Sequence, residues 1–76
     1  MITVKLYGLL RIESGIKQKQ MEALSVKEVL ISLADCGIPK KELDGCVILI
    51  NGKTANKRSK LTDGDTVVLM SPVAGG

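Results

Sequence analysis

Histidine, phenylalanine and tryptophan are absent from the 76 residues, and Tyr7 is the only aromatic side chain. Without imidazole there is no ordinary proton shuttle near neutral pH. The two cysteines, Cys36 and Cys46, lack metal-ligand spacing, which argues against a zinc site. Two thiols are also too few for the disulfide framework of a small secreted domain, and no signal peptide precedes the first strand-like run. Both are therefore read as reduced, structurally buried thiols of a cytoplasmic protein. The longest apolar run, Cys46 to Ile50, is far too short to span a membrane. Repeats and low-complexity segments are missing too.

The shortage of aromatics also bears on charge. A net charge of +3 and basic residues at Lys40, Lys41, Lys53, Lys57, Arg58 and Lys60 invite a nucleic-acid reading. Single-strand binders place aromatic stacking platforms among such charges, and this chain has one aromatic in all. The lysines are read as solvated loop residues that also steer an acidic partner. Neither nucleic acid nor membrane is an expected partner.

What remains is an aliphatic chain of single-domain size, 45% hydrophobic and 25% charged, a balance that favours folding over disorder. Ile2, Val4 and Leu6 alternate with Thr3, Lys5 and Tyr7, the period-two pattern of a strand with one buried face. A loop follows from Gly8 through Leu9, Leu10, Arg11 and Ile12 to Gly15. The Lys- and Gln-rich stretch Ile16 to Met21 reads as an exposed edge strand returning beside the first.

Ser25 with Glu28 forms a capping box, and Val26, Val29, Leu30 and Leu33 recur at helical spacing. Gly37 supplies a left-handed stop and Pro39 forbids resumption, which leaves one helix of about three turns. Cys46 to Ile50 reads as a strand buried on both faces or nearly so. Asn51-Gly52 is a turn dipeptide, Lys53 to Lys60 is irregular, and Asp63-Gly64-Asp65 is a second turn rather than a metal site. Thr66 to Met70 is the last strand. The order strand, strand, helix, strand, strand suits an α+β, β-grasp sheet packed on one main helix. A truncated split ferredoxin-like arrangement satisfies the same pattern.

The final strand runs into Ser71-Pro72-Val73-Ala74-Gly75-Gly76. Pro72 stops the strand, and the five residues past Ser71 reach roughly 16–18 Å when extended. Residues 71–76 are thus expected to form an extended, flexible tail on a single domain spanning 1–76. Two terminal glycines lack Cβ atoms, so the backbone can lie flat in a narrow channel with its carboxylate unhindered. By chance alone such a pair ends about one chain in two hundred.

The block Leu61-Thr62-Asp63-Gly64-Asp65-Thr66-Val67-Val68-Leu69-Met70-Ser71-Pro72-Val73-Ala74-Gly75-Gly76 resembles the C-terminus of the small subunit of molybdopterin synthase. More broadly it resembles the ubiquitin-like sulfur carriers of the molybdopterin and thiamine pathways. Val4 to Arg11 is similar to the family's first strand and following loop, and a weaker likeness extends through the capped helix and Ile50 to Lys53. The resemblance implies a β-grasp fold, with four to five strands in a mixed sheet. It also implies that Gly76 is the reacting residue, adenylated at its carboxylate and converted to a thiocarboxylate.

On this resemblance Gly75, Ala74, Val73 and Pro72 would line a partner's channel, and Leu61 and Met70 are candidates for apolar docking, with ordinary core the competing role. The implied partners are a ubiquitin-activating-like adenylyltransferase that uses ATP, and a sulfur donor such as a cysteine desulfurase or rhodanese. The recipient enzyme would be the molybdopterin synthase large subunit or thiazole synthase. The carrier itself would hold no cofactor and would not be an enzyme. Sulfur delivery to a pterin precursor of molybdenum or tungsten cofactor is the leading role. Thiazole synthesis, protein modification and non-covalent binding by a basic module are the others. The family's molybdopterin branch often shows two prolines and aromatics before the tail, whereas this chain has Met70-Ser71-Pro72.

Overall fold

The computed structural model describes residues 1–71. Their elements follow in the order β1 (Ile2–Tyr7), α1 (Leu9–Ser14), β2 (Gln18–Met21), α2 (Val26–Asp35), α3 (Lys40–Asp44), β3 (Val47–Ile50), β4 (Lys53–Ala55) and β5 (Thr66–Met70). The strands make one mixed sheet in the order β2-β1-β5-β3-β4. β1 and β5 are parallel neighbours at its centre, and the other pairs are antiparallel. This is the β-grasp arrangement expected from the sequence.

Alternation decides which side of the sheet is buried. Val4, Leu6, Val67 and Leu69 are at most 1% exposed, and Ile48 falls on the same face. Against them pack Val26, Val29 and Leu33 of α2, all fully buried. At about 25 cal/mol per Å² of apolar surface removed from water, this aliphatic layer is the main stabilising term.

Ser25 begins α2 by accepting a hydrogen bond from the Glu28 N–H at 3.3 Å. Its own hydroxyl donates to the Glu28 carboxylate at 3.4 Å, a side-chain contact in place of the carboxylate's reach to the Ser25 N–H. The helix ends in a Schellman motif. Gly37 takes φ +103°, its N–H donates to the Ala34 carbonyl, and the Ile38 N–H reaches back to the Leu33 carbonyl.

The structure corrects four local expectations. The stretch from Leu9 is a helix, α1, instead of a loop. Pro39 does not end helical structure; it stands at the N-cap of α3, where its missing N–H costs nothing. Lys53–Ala55 is an edge strand, because the Asn51-Gly52 turn, with φ +51° and +85°, folds it directly onto β3. β3 is buried on one face only: Ile48 is 6% exposed but Val47 is 42% exposed. Among the described residues, no second layer covers the outer side of the sheet at Val47.

Candidate functional site

β5 emerges beside β1, and its last residue, Met70, is paired with Tyr7 on one side and Val47 on the other. Neighbours in register point to the same side of a sheet. Since Leu6, Leu69 and Ile48 face the helix, Tyr7, Met70 and Val47 form a row on the opposite, outer side. One step further in, Lys5, Val68 and Leu49 make a second row, followed by Thr3 beside Thr66. The outer face is therefore apolar where β5 ends and polar at its far end. Tyr7 and Val47 are 41% and 42% exposed, while Leu49, Val68 and Met70 are half-buried.

Tyr7 and Val47 are the exposed apolar side chains of this strip. Of the two docking candidates named from the sequence, Met70 lies at its centre. Leu61 does not contribute to it. That residue is 4% exposed, in the core, and its N–H donates to the Leu24 carbonyl at 2.9 Å, so its role is packing. Tyr7, Val47, Leu49 and Val68 share the outer face with Met70, a grouping that sequence reasoning does not reach. The sequence signal for this face is the run Val47 to Ile50, whose alternate members read equally well as a second buried face.

The last described residue is held at the same end of the sheet. Ser71 follows Met70, and its Oγ accepts a hydrogen bond from the Leu9 N–H at 2.6 Å. Pro72, Val73, Ala74, Gly75 and Gly76, the residues assigned to the channel and to the chemistry, lie outside the described residues.

Neither thiol belongs to this site. Cys46 is half-buried and donates to the Leu43 carbonyl at 3.0 Å, and burial pushes its pKa up, away from reactivity. Cys36, expected to be buried, is exposed at the end of α2, where it accepts from Lys19 Nζ at 2.8 Å. Asp63 and Asp65 serve the turn before β5: Asp65 accepts from the Thr62 N–H at 2.9 Å. Among the described residues, no three or more Cys, Asp or Glu side chains are grouped to hold a metal ion, and no helix is long and apolar enough to cross a membrane.

The ThiS family model matches residues 4–76. Among solved structures, the chain is similar to small archaeal modifier protein 1 of Methanosarcina acetivorans. That likeness has 26% identity and a TM-score of 0.84, covering 99% of this chain and 95% of the other. A chain in the complex of subunits 1 and 2 of molybdopterin-converting factor from Helicobacter pylori 26695 is 28% identical at a TM-score of 0.74. It is matched over 97% of its length by 99% of this chain. SAMP1 of Haloferax volcanii, 24% identical at a TM-score of 0.81 over 99% and 98% of the two chains, shares the fold. No curated protein matches the sequence.

Proposed function

The chain belongs to the ThiS family, among the ubiquitin-like sulfur carriers, and from that membership we propose that the carboxylate of Gly76 is its reacting group. The observation that carries this reading is the extent of the family match, which runs through Gly75 and Gly76. A carboxylate is a poor electrophile because its negative charge is shared over both oxygens. An activating enzyme uses ATP to correct that. A Gly76 oxygen attacks the α-phosphorus, pyrophosphate leaves, and an acyl adenylate results. Sulfide-level sulfur from a donor enzyme then adds to the carbonyl carbon and AMP departs with one oxygen, leaving a thiocarboxylate. None of these steps asks the carrier for an acid or base, which suits a chain without histidine.

The outer face of the sheet supports the same reading. Tyr7, Met70 and Val47 form an apolar strip at the point where the tail begins, so a partner seated there has the tail within reach. For the recipient we favour the large subunit of a molybdopterin synthase, acting on a pterin precursor. The 28% identity to a chain of a molybdopterin-converting factor complex favours it. Delivery to thiazole synthase is the alternative within the same chemistry. A modifier role, in which Gly76 is joined to protein lysines, is a second reading favoured by the likeness to small archaeal modifier protein 1.

Incubation with ATP, the cognate activating enzyme and a sulfur donor, followed by intact mass measurement, separates these readings. Sulfur carriage predicts a gain of about 16 Da, one oxygen exchanged for sulfur. Isopeptide-linked products would favour the modifier, and an unchanged mass with competent enzymes would overturn both.

A further inference from the structure

Helix α1 lacks an N-cap of its own. Residues at that position usually offer a side-chain oxygen to the free N–H groups of the first turn, but here the position is held by Gly8, with no side-chain hydrogen bond. The missing acceptor arrives from 62 residues away. Ser71 Oγ accepts from the Leu9 N–H at 2.6 Å, lies 3.4 Å from the Leu10 nitrogen, and its hydroxyl reaches the Tyr7 carbonyl at 3.5 Å.

Glycine at position 8 is required by this arrangement. A Cβ there would stand 2.5 Å from Ser71 Oγ, and the backbone has φ +67° with ψ −143°, a region that side chains disfavour. Gly8 and Ser71 therefore form a lock between the start of α1 and the root of the tail.

We propose that Ser71 is a positioning residue for the terminal carboxylate: its hydroxyl fastens Ser71 to α1 and so fixes the residue to which 72–76 are joined. Pairing in the sheet ends at Met70. The Ser71 hydroxyl extends the anchorage by one residue, so that Ser71 as well as Met70 is held beside the Tyr7–Met70–Val47 strip. Without it, a partner that takes up the chain's end must order one more residue. Such a role rests on the terminal-carboxylate reading, because it matters only if the tail's end must be delivered accurately.

The test compares the full chain with Ser71→Ala and with Ser71→Thr, which keeps the hydroxyl. Two quantities are measured: amide hydrogen exchange at Leu9, and ATP–pyrophosphate exchange by the activating enzyme as carrier concentration is varied. Ser71→Ala should lose Leu9 protection and raise the KM for carrier about fivefold at unchanged kcat, from the cost of ordering one more residue. Ser71→Thr should restore both. Unchanged Leu9 protection in Ser71→Ala would overturn the lock itself. Lost protection with an unchanged KM would make the contact structural only and overturn the positioning role, leaving the terminal-carboxylate reading intact. A wild-type chain that supports no exchange with a competent enzyme would overturn that reading and the positioning role together.

Discussion

The Asn51 carboxamide donates to the Asp65 carboxylate at 2.9 Å, joining two turns that lie 14 residues apart. Asn51 Oδ1 also accepts from the Thr66 N–H at 3.0 Å, so one side chain fastens the β3–β4 turn to the first residue of β5. The Thr62 N–H, and after it the Asn51 side chain, hold the Asp65 carboxyl below the usual carboxylate range. A depressed folded-state pKa contributes stability that is complete above the ordinary aspartate value and lost as pH falls through the depressed one.

Asn51→Ala should therefore lower the midpoint of urea unfolding, because two hydrogen bonds are lost. It should also move the Asp65 carboxyl titration, followed by NMR, upward toward its ordinary value. A titration that stays in place would show that the Asn51 contact is not felt at Asp65.

Glu42 carries the opposite sign. It lies with Glu13 in a cleft of about 320 Å³ between α1, α3 and the end of α2. A hydrogen bond with Glu13, then desolvation, then the Glu13 charge raise its pKa. The stability contributed by that shared proton is complete below the ordinary glutamate value and lost as pH rises through the raised one. Glu42→Gln keeps a neutral donor there at every pH. Its stability relative to wild type should thus improve as pH rises from about 4 to 7, and a constant difference would contradict the shared proton.

Met70 and Leu61 separate surface from core. Met70→Arg places charge at the centre of the outer strip and should weaken binding of the activating enzyme at least tenfold, about 1.4 kcal/mol. Its unfolding free energy should change by less than about 1 kcal/mol. Titration calorimetry and urea unfolding on the same samples check both halves.

Leu61→Ala should do the reverse, costing about 2–5 kcal/mol of stability through the cavity it leaves. Partner affinity should stay within a factor of about three of wild type under conditions where the variant is folded. A large affinity loss in folded Leu61→Ala would restore the docking role that burial assigns instead to packing.

Much of the sheet was legible in the sequence because its signals are local. Ile2-Val4-Leu6 alternate, Ser25 with Glu28 announces α2, and Asn51-Gly52 dictates a turn that any chain would make. What escaped depends on distant residues or on too few of them. α1 starts at a glycine whose capping oxygen belongs to Ser71, so no window around Leu9 contains the signal. α3 is a single turn with one buried residue, Leu43, too short for periodicity to register. Val47 and Leu49 have the composition of core, and among the described residues no layer covers their side of the sheet, which leaves Val47 exposed and Leu49 half-buried. The terminal glycines stand in the sequence but lie outside the described residues, whereas the outer apolar strip is assembled from three strands and is visible only from their register.

The central claim is that sulfur is carried on the Gly76 carbonyl, and its location can be read by fragmenting the sulfur-loaded chain in a mass spectrometer. The account predicts a gain of about 16 Da confined to the C-terminal fragment that ends at Gly76. A gain of about 32 Da on the fragment holding Cys36 or Cys46, the signature of a persulfide, with Gly76 unchanged, would contradict it.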